Sequence, residues 1–320
     1  MKIAVVGCGA LGSYYGAKLC RHGPEVHFLL RSDFEVVRRS GVFIQSAEGA
    51  FRARPRCANV PEAIGRCDLV LLGLKTTAND QFAKLLPPLV GPATAILTLQ
   101  NGLGNEEQLA RIFPPEQILG GLCFVCLNRV EPGVIHHIDH GSIMLGEFRG
   151  VPGPRTHALA SLFGQAGVPC EVIENLARAH WEKLVWNIPF NGLGVASAAG
   201  FDAVLNGALR AGANRGSCLT TDQLLGDPRW ESLVRELMSE VIAAGRAQGL
   251  KIADSVADAH LTRTRTMGAY KASTLIDFER RQPLELESLF AEPLRQARIA
   301  GVATPRLAAL CEILRQLDSA

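Results

Sequence analysis

The glycine pattern near the N-terminus has the residue types and spacing that most directly indicate chemistry. Gly7, Gly9 and Gly12 form a G-x-G-x-x-G loop between an apolar run, 3–6, and a helical stretch that Gly23 can end. The first glycine of such a loop allows a tight turn, the second lets the backbone approach a pyrophosphate, and the third lets the helix lie close to a sheet. The helix N-terminus then presents N–H groups to an anion. The pattern predicts dinucleotide binding, and the alternative is an ordinary glycine-rich turn.

A second apolar run, 26–30, ends at the position that distinguishes the two nicotinamide dinucleotides. An acidic residue there would hydrogen-bond a ribose 2′-hydroxyl and repel a 2′-phosphate. This chain has Arg31-Ser32 instead, and a guanidinium binds phosphate in a bidentate manner. We therefore expect NADP(H) rather than NAD(H). The alternative is a solvated arginine at a strand end, and Asp33 follows as a candidate cap of the next helix.

Two continuous apolar runs, 69–74 and 95–99, are typical of buried parallel strands. The first ends at Lys75 and the second at Gln100-Asn101. Ligands of open α/β sheets bind beyond the carboxyl ends of the strands. We therefore expect Lys75 and Asn101 to lie near the cofactor.

Lys183, Asn187 and Asn191 follow one another at four-residue spacing, which places three polar side chains on one face of a helix. The residues around them are mostly apolar, and include Trp181, Leu184, Trp186, Ile188 and Phe190. Polar side chains in so apolar a helix need partners if they are buried. The stripe is a candidate functional site, and the alternative is a stripe that faces solvent.

The period of the apolar residues changes near Asn175. Upstream, two further short strands are predicted at 119–125 and 142–145. Downstream, the period is helical, with no convincing strand. Two amphipathic helices are marked by the apolar stripes Leu233, Leu237, Val241 and Ala244, and Leu307, Leu310, Leu314 and Leu317. We predict an α/β N-terminal Rossmann-like dinucleotide-binding domain over 1–174, followed by an all-α C-terminal domain over 175–320 that binds substrate and carries the catalytic residues.

Five segments, in their order and spacing, resemble the ketopantoate reductases (2-dehydropantoate 2-reductases) over nearly the full length of the chain. They are Gly7 to Gly12, Leu74-Lys75, Gln100 to Gly104, Trp181 to Leu184 with Asn187 and Asn191, and Ser273 with Asp277 and Pro283 to Glu285. The resemblance implies NADPH-dependent reduction of a 2-oxo acid to a 2-hydroxy acid. The implied reaction is 2-dehydropantoate to pantoate, in pantothenate biosynthesis.

The resemblance also implies roles for individual residues. Lys183 would be the general acid on the ketone oxygen, and Glu285 the carboxylate that helps to position it. The implied substrate-binding residues are Asn101, Asn187, Asn191 and Ser273. The implied cofactor-binding residues are Gly7, Cys8, Gly9, Ala10, Leu11, Gly12, Arg31, Lys75 and Asn101. Taken alone, Glu285 could equally be a first-turn helix carboxylate after Pro283, and Ser273 a plain polar helix residue.

This chemistry is reasonable, because hydride arriving at a carbonyl carbon builds negative charge on the oxygen, which a positioned ammonium can neutralise and protonate. The chain departs from the common family pattern at Arg281-Gln282 and after Glu285. One alternative is therefore a related reductase of a different small 2-oxo acid. Another is a non-catalytic NADP-binding redox sensor, which is disfavoured by the joint retention of Lys183, Asn187, Asn191 and Glu285.

The composition of the chain further limits the classes of protein to which it can belong. The chain has 320 residues, 48% hydrophobic and 20% charged, with a net charge of +2, which argues against a nucleic-acid partner. No apolar run approaches the length of a membrane span, and the N-terminus resembles a strand rather than a signal peptide. We expect a cytoplasmic protein whose partner is a small 2-oxo acid, with a homodimer left open.

Nine cysteines, an odd number, indicate reduced thiols rather than a disulfide framework. Cys123 and Cys126 form a C-x-x-C in a predicted strand, and we expect buried free thiols there. His136, His137 and His140 lie in a hairpin-like stretch, Val134 to Met144, where neighbouring side chains point to opposite faces. We therefore predict no metal site.

Overall fold

The computed structural model describes residues 1–209 and 216–319. The chain forms two compact units. The first consists of Met1–Asn101 with Asn105–Leu176, and the second of Gly102–Gly104 with the chain from Ala177 onward. The predicted domain limits, 1–174 and 175–320, stay a prediction.

One sheet, ten-stranded over the described residues, forms the first unit. Its strands are β1 Lys2–Val6, β2 Glu25–Leu29, β3 Val42–Ser46, β4 Phe51–Ala53, β5 Arg56–Ala58, β6 Leu69–Leu72, β7 Ala95–Thr98, β8 Ile118–Glu131, β9 Val134–Glu147 and β10 Cys170–Val172. The spatial order is β4-β3-β9-β8-β7-β6-β1-β2-β5, and β10 pairs with β9.

The centre of the sheet is parallel, as predicted. β1 lies between β2 and β6, and both pairings are parallel, as is the pairing of β6 with β7. Ile3–Val6 and 69–72 are buried along their whole length, as strands covered on both faces must be. The helices of this unit are α1 Ala10–Cys20, α2 Phe34–Ser40, α3 Phe82–Leu85, α4 Asn105–Ala110 and α5 Pro154–Gln165. The Rossmann-like class of the first unit is thereby confirmed.

The two further strands predicted for the sheet are present, but they are longer than predicted. The short strands expected at 119–125 and 142–145 are parts of a long antiparallel hairpin, β8 with β9, that turns at Pro132-Gly133. Gly133 has a φ of +72°, a value that suits glycine in a tight turn. The outer half of the hairpin mixes exposed and buried, apolar and polar residues, so it lacks the continuous apolar run on which the sequence prediction depended.

The second unit is helical, and the structure assigns no strand to its described residues. Its helices are α6 Leu176–Ala196, α7 Phe201–Asn206, α8 Thr221–Gly226, α9 Pro228–Ala247, α10 Ser255–Arg265, α11 Ser273–Glu279, α12 Glu292–Ile299 and α13 Pro305–Asp318. The apolar stripes of α9 and α13 are buried in one core together with residues of α6, such as Trp181 and Ile188. The predicted all-α character of this region is confirmed.

Gly102–Gly104 packs against a π-helical turn, Glu287–Ala291, that precedes α12. The Leu103 N–H donates to the Ser288 carbonyl at 2.9 Å. A π-helix would bond that carbonyl to residue 293, which is a proline and has no N–H to donate. The Ser288 carbonyl is therefore available to the incoming loop.

Gly102→Ala should lower the free energy of unfolding more than Gly104→Ala. Both positions have a positive φ, +86° and +87°, so both substitutions carry backbone strain. A Cβ on Gly102 would lie 2.3 Å from the Ser288 oxygen, whereas the nearest atom to one on Gly104 is 3.4 Å away. We expect a loss of about 1–2 kcal/mol for Gly104→Ala and roughly 1 kcal/mol more for Gly102→Ala, measured by urea denaturation. Equal losses would contradict the close contact.

Candidate active site

The glycines in and next to the loop differ in the space around them. A Cβ on Gly7 would lie 2.2 Å from the Leu74 nitrogen, and one on Gly12 would lie 2.3 Å from the Gly7 oxygen. One on Gly73 would lie 2.9 Å from the Gly12 nitrogen. A Cβ on Gly9 would meet nothing within 4 Å. Three glycines thus allow close backbone packing, whereas Gly9 faces space that a ligand can approach.

The start of α1 is suited to an anion. Gly9 is the N-cap, and it provides no side chain to cap the helix. The first intrahelical donor is the Ser13 N–H, which bonds to the Gly9 oxygen at 3.1 Å. The N–H groups of 10–12 therefore have no partner within the helix, as is general for a first turn. The Ser13 hydroxyl donates to the Cys8 carbonyl at 3.0 Å and fixes the loop. These features fit a pyrophosphate.

Arg31 and Ser32 are exposed just beyond β2, and Arg31 makes no ion pair with any residue that the structure describes. The expectation for Asp33 was wrong, because its carboxylate makes no cap hydrogen bond to α2. It pairs instead with Arg129 of β8. Arg31 is thus accessible to a phosphate beside an acid that is already paired.

A chain of buried and half-buried amides joins the loops that follow β6 and β7. Thr98 Oγ1 donates to Gln100 Oε1 at 2.9 Å, and Gln100 Nε2 donates to Asn79 Oδ1 at 2.7 Å. Asn79 Nδ2 donates to Asn105 Oδ1 at 2.9 Å, and Asn105 Nδ2 to the Asn101 carbonyl at 3.1 Å. These bonds fix the backbone at Asn101 relative to the turn that begins after Lys75.

The polar stripe of α6 is largely buried. Asn187 is 6% exposed and Asn191 is 3% exposed, while Lys183 is half-buried. This excludes the solvent-facing alternative for the two asparagines. Within the part of the chain that the structure describes, the Asn187 amide has no hydrogen-bond partner.

Asn191 and Ser273 are brought together although 82 positions separate them. Asn191 Oδ1 accepts from Ser273 Oγ at 3.2 Å and from the Thr274 N–H at 3.1 Å, in the first turn of α11. The Asn191 oxygen is therefore used inside the protein, which orients its NH₂ group. Glu285 is also buried, just before the π-helical turn. The pairing of Glu285 with Lys183 stays a prediction.

Comparison with known proteins gives matches over nearly the full length of the chain. Family models described as ketopantoate reductase PanE/ApbA and as its C-terminal part match residues 3–150 and 216–318. The 2-dehydropantoate 2-reductase of Nostoc sp. is 41% identical, covering 99% of this chain and 95% of the relative.

The chain belongs to the ketopantoate reductase PanE/ApbA family.

Crystal structures of family members are closely similar to the whole chain. The 2-dehydropantoate 2-reductase of Geobacter metallireducens has a TM-score of 0.90 and 45% identity, with 99% of both chains covered. That of Methylococcus capsulatus has a TM-score of 0.88 and 33% identity, covering 100% of this chain and 97% of its own.

Other groups singled out in the sequence have structural contacts in this family member. Cys123 and Cys126 are buried free thiols, as expected. His137 is buried, with Nδ1 2.8 Å from Ser46 Oγ and Nε2 2.7 Å from the His140 carbonyl. The described residues contain no group of three or more candidate metal ligands, and none of their helices is long and apolar enough to cross a membrane.

Sequence reasoning missed several residues around the site. Asn79, Asn105 and Thr274 hold predicted site residues in place, and Arg129 pairs with Asp33. The run of Thr98, Gln100, Asn101 and Asn105 at a strand end was a visible signal for the amide chain. Asn79 and Arg129 gave no local signal, because their partners are distant in sequence.

Asn191→Ala should destabilise the second unit. It leaves the Thr274 N–H and the Ser273 hydroxyl without their acceptor, which should cost about 1–3 kcal/mol of unfolding free energy. Ser273→Ala removes only the hydroxyl and leaves the Thr274 N–H its acceptor, so it should cost no more than about 1 kcal/mol. Thermal and urea denaturation would measure both, with Asn206→Ala on the surface as control. An Asn191→Ala protein as stable as the control would contradict this role.

Proposed function

We propose that the chain catalyses the NADPH-dependent reduction of 2-dehydropantoate to pantoate, a step of pantothenate biosynthesis. Two of its relatives, at 41% and 45% identity, carry the name 2-dehydropantoate 2-reductase and match 99% of this chain. The observation that carries the proposal is the buried polar stripe of α6. The described residues contain no buried side-chain N or O atom without a partner, so the Asn187 amide, which bonds to none of them, reaches solvent and can bind a polar ligand.

The cofactor residues of the first unit fit NADPH. The N–H groups at the start of α1 would bind the pyrophosphate, with Gly9 leaving room for it. Arg31 would pair with the 2′-phosphate, and Lys75 and Asn101 would contact the cofactor beyond their strands. When bound, NADPH supplies the hydride that reduces the carbonyl carbon.

The second unit supplies the groups that act on the acid. The Lys183 ammonium neutralises the negative charge that develops on the ketone oxygen and donates the proton. Glu285 keeps that ammonium charged and oriented, since a nearby carboxylate favours the charged form. Asn187 and the NH₂ group of Asn191 donate hydrogen bonds to substrate oxygens.

Ser273 binds the substrate carboxylate in this mechanism. Its hydroxyl donates to Asn191 at 3.2 Å, a long bond for an O–H donor. The hydroxyl can exchange that bond for one to a carboxylate, because the Thr274 N–H continues to hold Asn191. Substrate binding therefore need not disturb the asparagine.

A related reductase of a different small 2-oxo acid is the second candidate. The segment that departs from the common family pattern includes Arg281, which is exposed with a φ of +55°. It lies four residues before the buried Glu285, so the selectivity of this member for 2-dehydropantoate over other 2-oxo acids should be tested. The redox-sensor alternative predicts no turnover at all.

We place this reaction in the cytoplasm, because all nine cysteines are free thiols, as a reducing compartment keeps them. A homodimer is the assembly that we would test first.

The proposal predicts turnover of 2-dehydropantoate that depends on NADPH. We expect kcat/KM, measured from the loss of NADPH absorbance, to be highest for this acid among a panel of small 2-oxo acids. NADPH should be preferred to NADH by about one to two decades in affinity, the value of one charge-assisted phosphate contact. A higher kcat/KM for another 2-oxo acid would favour the second candidate, and no turnover of any acid would refute the reductase assignment.

Lys183→Ala should reduce kcat by about 10²–10⁴, the range for a positioned general acid, with little effect on NADPH affinity. Glu285→Gln should also reduce kcat, and the double variant should lose less than the product of the two effects, because the residues act as a unit. Lys271→Ala, at an exposed lysine that pairs with Glu279, is the control and should keep wild-type kcat. A folded Lys183→Ala protein with normal kcat would falsify the mechanism.

A further inference from the structure

Asp33 is an acidic residue in the region that selects between NADH and NADPH, two positions after Arg31. Its side chain is only 8% exposed, although it follows an exposed strand end. Burial raises the pKa of the Cys8 thiol well above its usual value, and the charges of Cys57 and Asp33 raise it further. Asp33 therefore lies close enough to the glycine loop for an unpaired charge on it to act there.

The donors to this carboxylate, among the described residues, are protein groups. Arg129 binds it with two nitrogens, Nε to Oδ2 at 3.0 Å and Nη2 to Oδ1. The Gly133 N–H donates to Oδ2 at 3.3 Å, and Ser32 Oγ donates to Oδ1 at 2.9 Å. Two of these three donor residues belong to the hairpin of β8 and β9, so the hairpin provides the main counterpart of this charge.

An unpaired acid in this region would have the opposite effect on the cofactor. It would accept a hydrogen bond from a ribose 2′-hydroxyl and would repel a 2′-phosphate. A bidentate arginine neutralises such an acid and fixes both of its oxygens. Arg129 thereby removes the repulsion and leaves Arg31 as the dominant charge.

We propose that Arg129 is a specificity-determining residue for the dinucleotide, which acts by holding and neutralising Asp33 so that the 2′-phosphate of NADPH is accepted at Arg31. The inference rests on the proposed function, because it assumes that this loop binds NADPH. It adds a positioning residue from a strand that contributes no residue to the glycine loop, 96 positions away from Asp33 in the sequence.

Arg129→Met tests the inference through binding rather than turnover. The dissociation constants of NADPH and NADH would be measured by calorimetry on the purified chain without substrate. We expect the preference for NADPH to fall about tenfold or more, because a freed carboxylate repels the phosphate and can accept from the 2′-hydroxyl. Adding Asp33→Asn to Arg129→Met should restore the preference to within about threefold of wild type, because the repelling charge is gone.

A matched control comes from the same sheet. Arg155 pairs with Glu147, and the exposed fractions of these side chains are 37% and 8%, against 40% and 8% for Arg129 and Asp33. Arg155→Met removes the same kind of pair and should leave the cofactor preference unchanged. A similar loss in both variants would mean a general structural effect and would overturn the assignment.

The remaining outcomes separate the inference from the proposed function. If wild type binds neither dinucleotide, the proposed function fails. If wild type prefers NADPH and folded Arg129→Met keeps that preference, the inference alone fails. Should Arg129→Met not fold, Arg129→Lys retains the charge without the bidentate bond, and we expect it to lose part of the preference. An unchanged preference in that variant would also overturn the inference.

Discussion

The cofactor half of this protein depends on the close approach of three backbone segments that only glycine permits. The ends of β1 and β6 and the start of α1 meet at Gly7, Gly73 and Gly12, where added Cβ atoms would lie 2.2–2.9 Å from neighbouring backbone atoms. This contact holds the first turn of α1 directly over the end of β1, so its N–H groups face the carboxyl edge of the sheet. It also sets where the chain leaves β6, and therefore where Lys75 and the amide chain to Asn101 begin.

Buried side-chain amides form hydrogen bonds that position neighbouring groups in both units. Asn105 accepts from Asn79 and donates to the Asn101 carbonyl, while Asn191 accepts from Ser273 and Thr274. An amide has both an acceptor and donors, so a bond to its oxygen fixes the direction of its NH₂ group. A carboxylate in the same place would be acceptor-only and charged, with a larger desolvation cost. Amides therefore suit sites in which a buried donor must be aimed at a ligand.

The sequence predicted what is encoded locally. The glycine loop, the buried parallel strands and the stripes of α6, α9 and α13 each have a period or spacing that can be read within about twenty residues, as hydrophobic patterning allows. It did not predict pairs such as Arg129 with Asp33 or Asn191 with Thr274, which are 96 and 83 positions apart. Which polar group meets which depends on how strands and helices pack, and local spacing carries no information about that. The full length of β8 and β9 was not predicted, because the outer half of the hairpin lacks a continuous apolar run.

The β8–β9 hairpin also contributes one partner to each of two ion pairs that include a buried acid, one pair near each end of the hairpin. Near its turn, Arg129 binds Asp33 beyond β2; at its base, Glu147 accepts from Arg155 and Thr156 of α5. Removing one partner of such a pair leaves a buried charge uncompensated, which is far more costly than losing an exposed ion pair. The hairpin is thus tied to the sheet by charge as well as by backbone bonds. Arg129 lies in the outer part of β8, so a hairpin that turned at residue 125 would lack this ion pair.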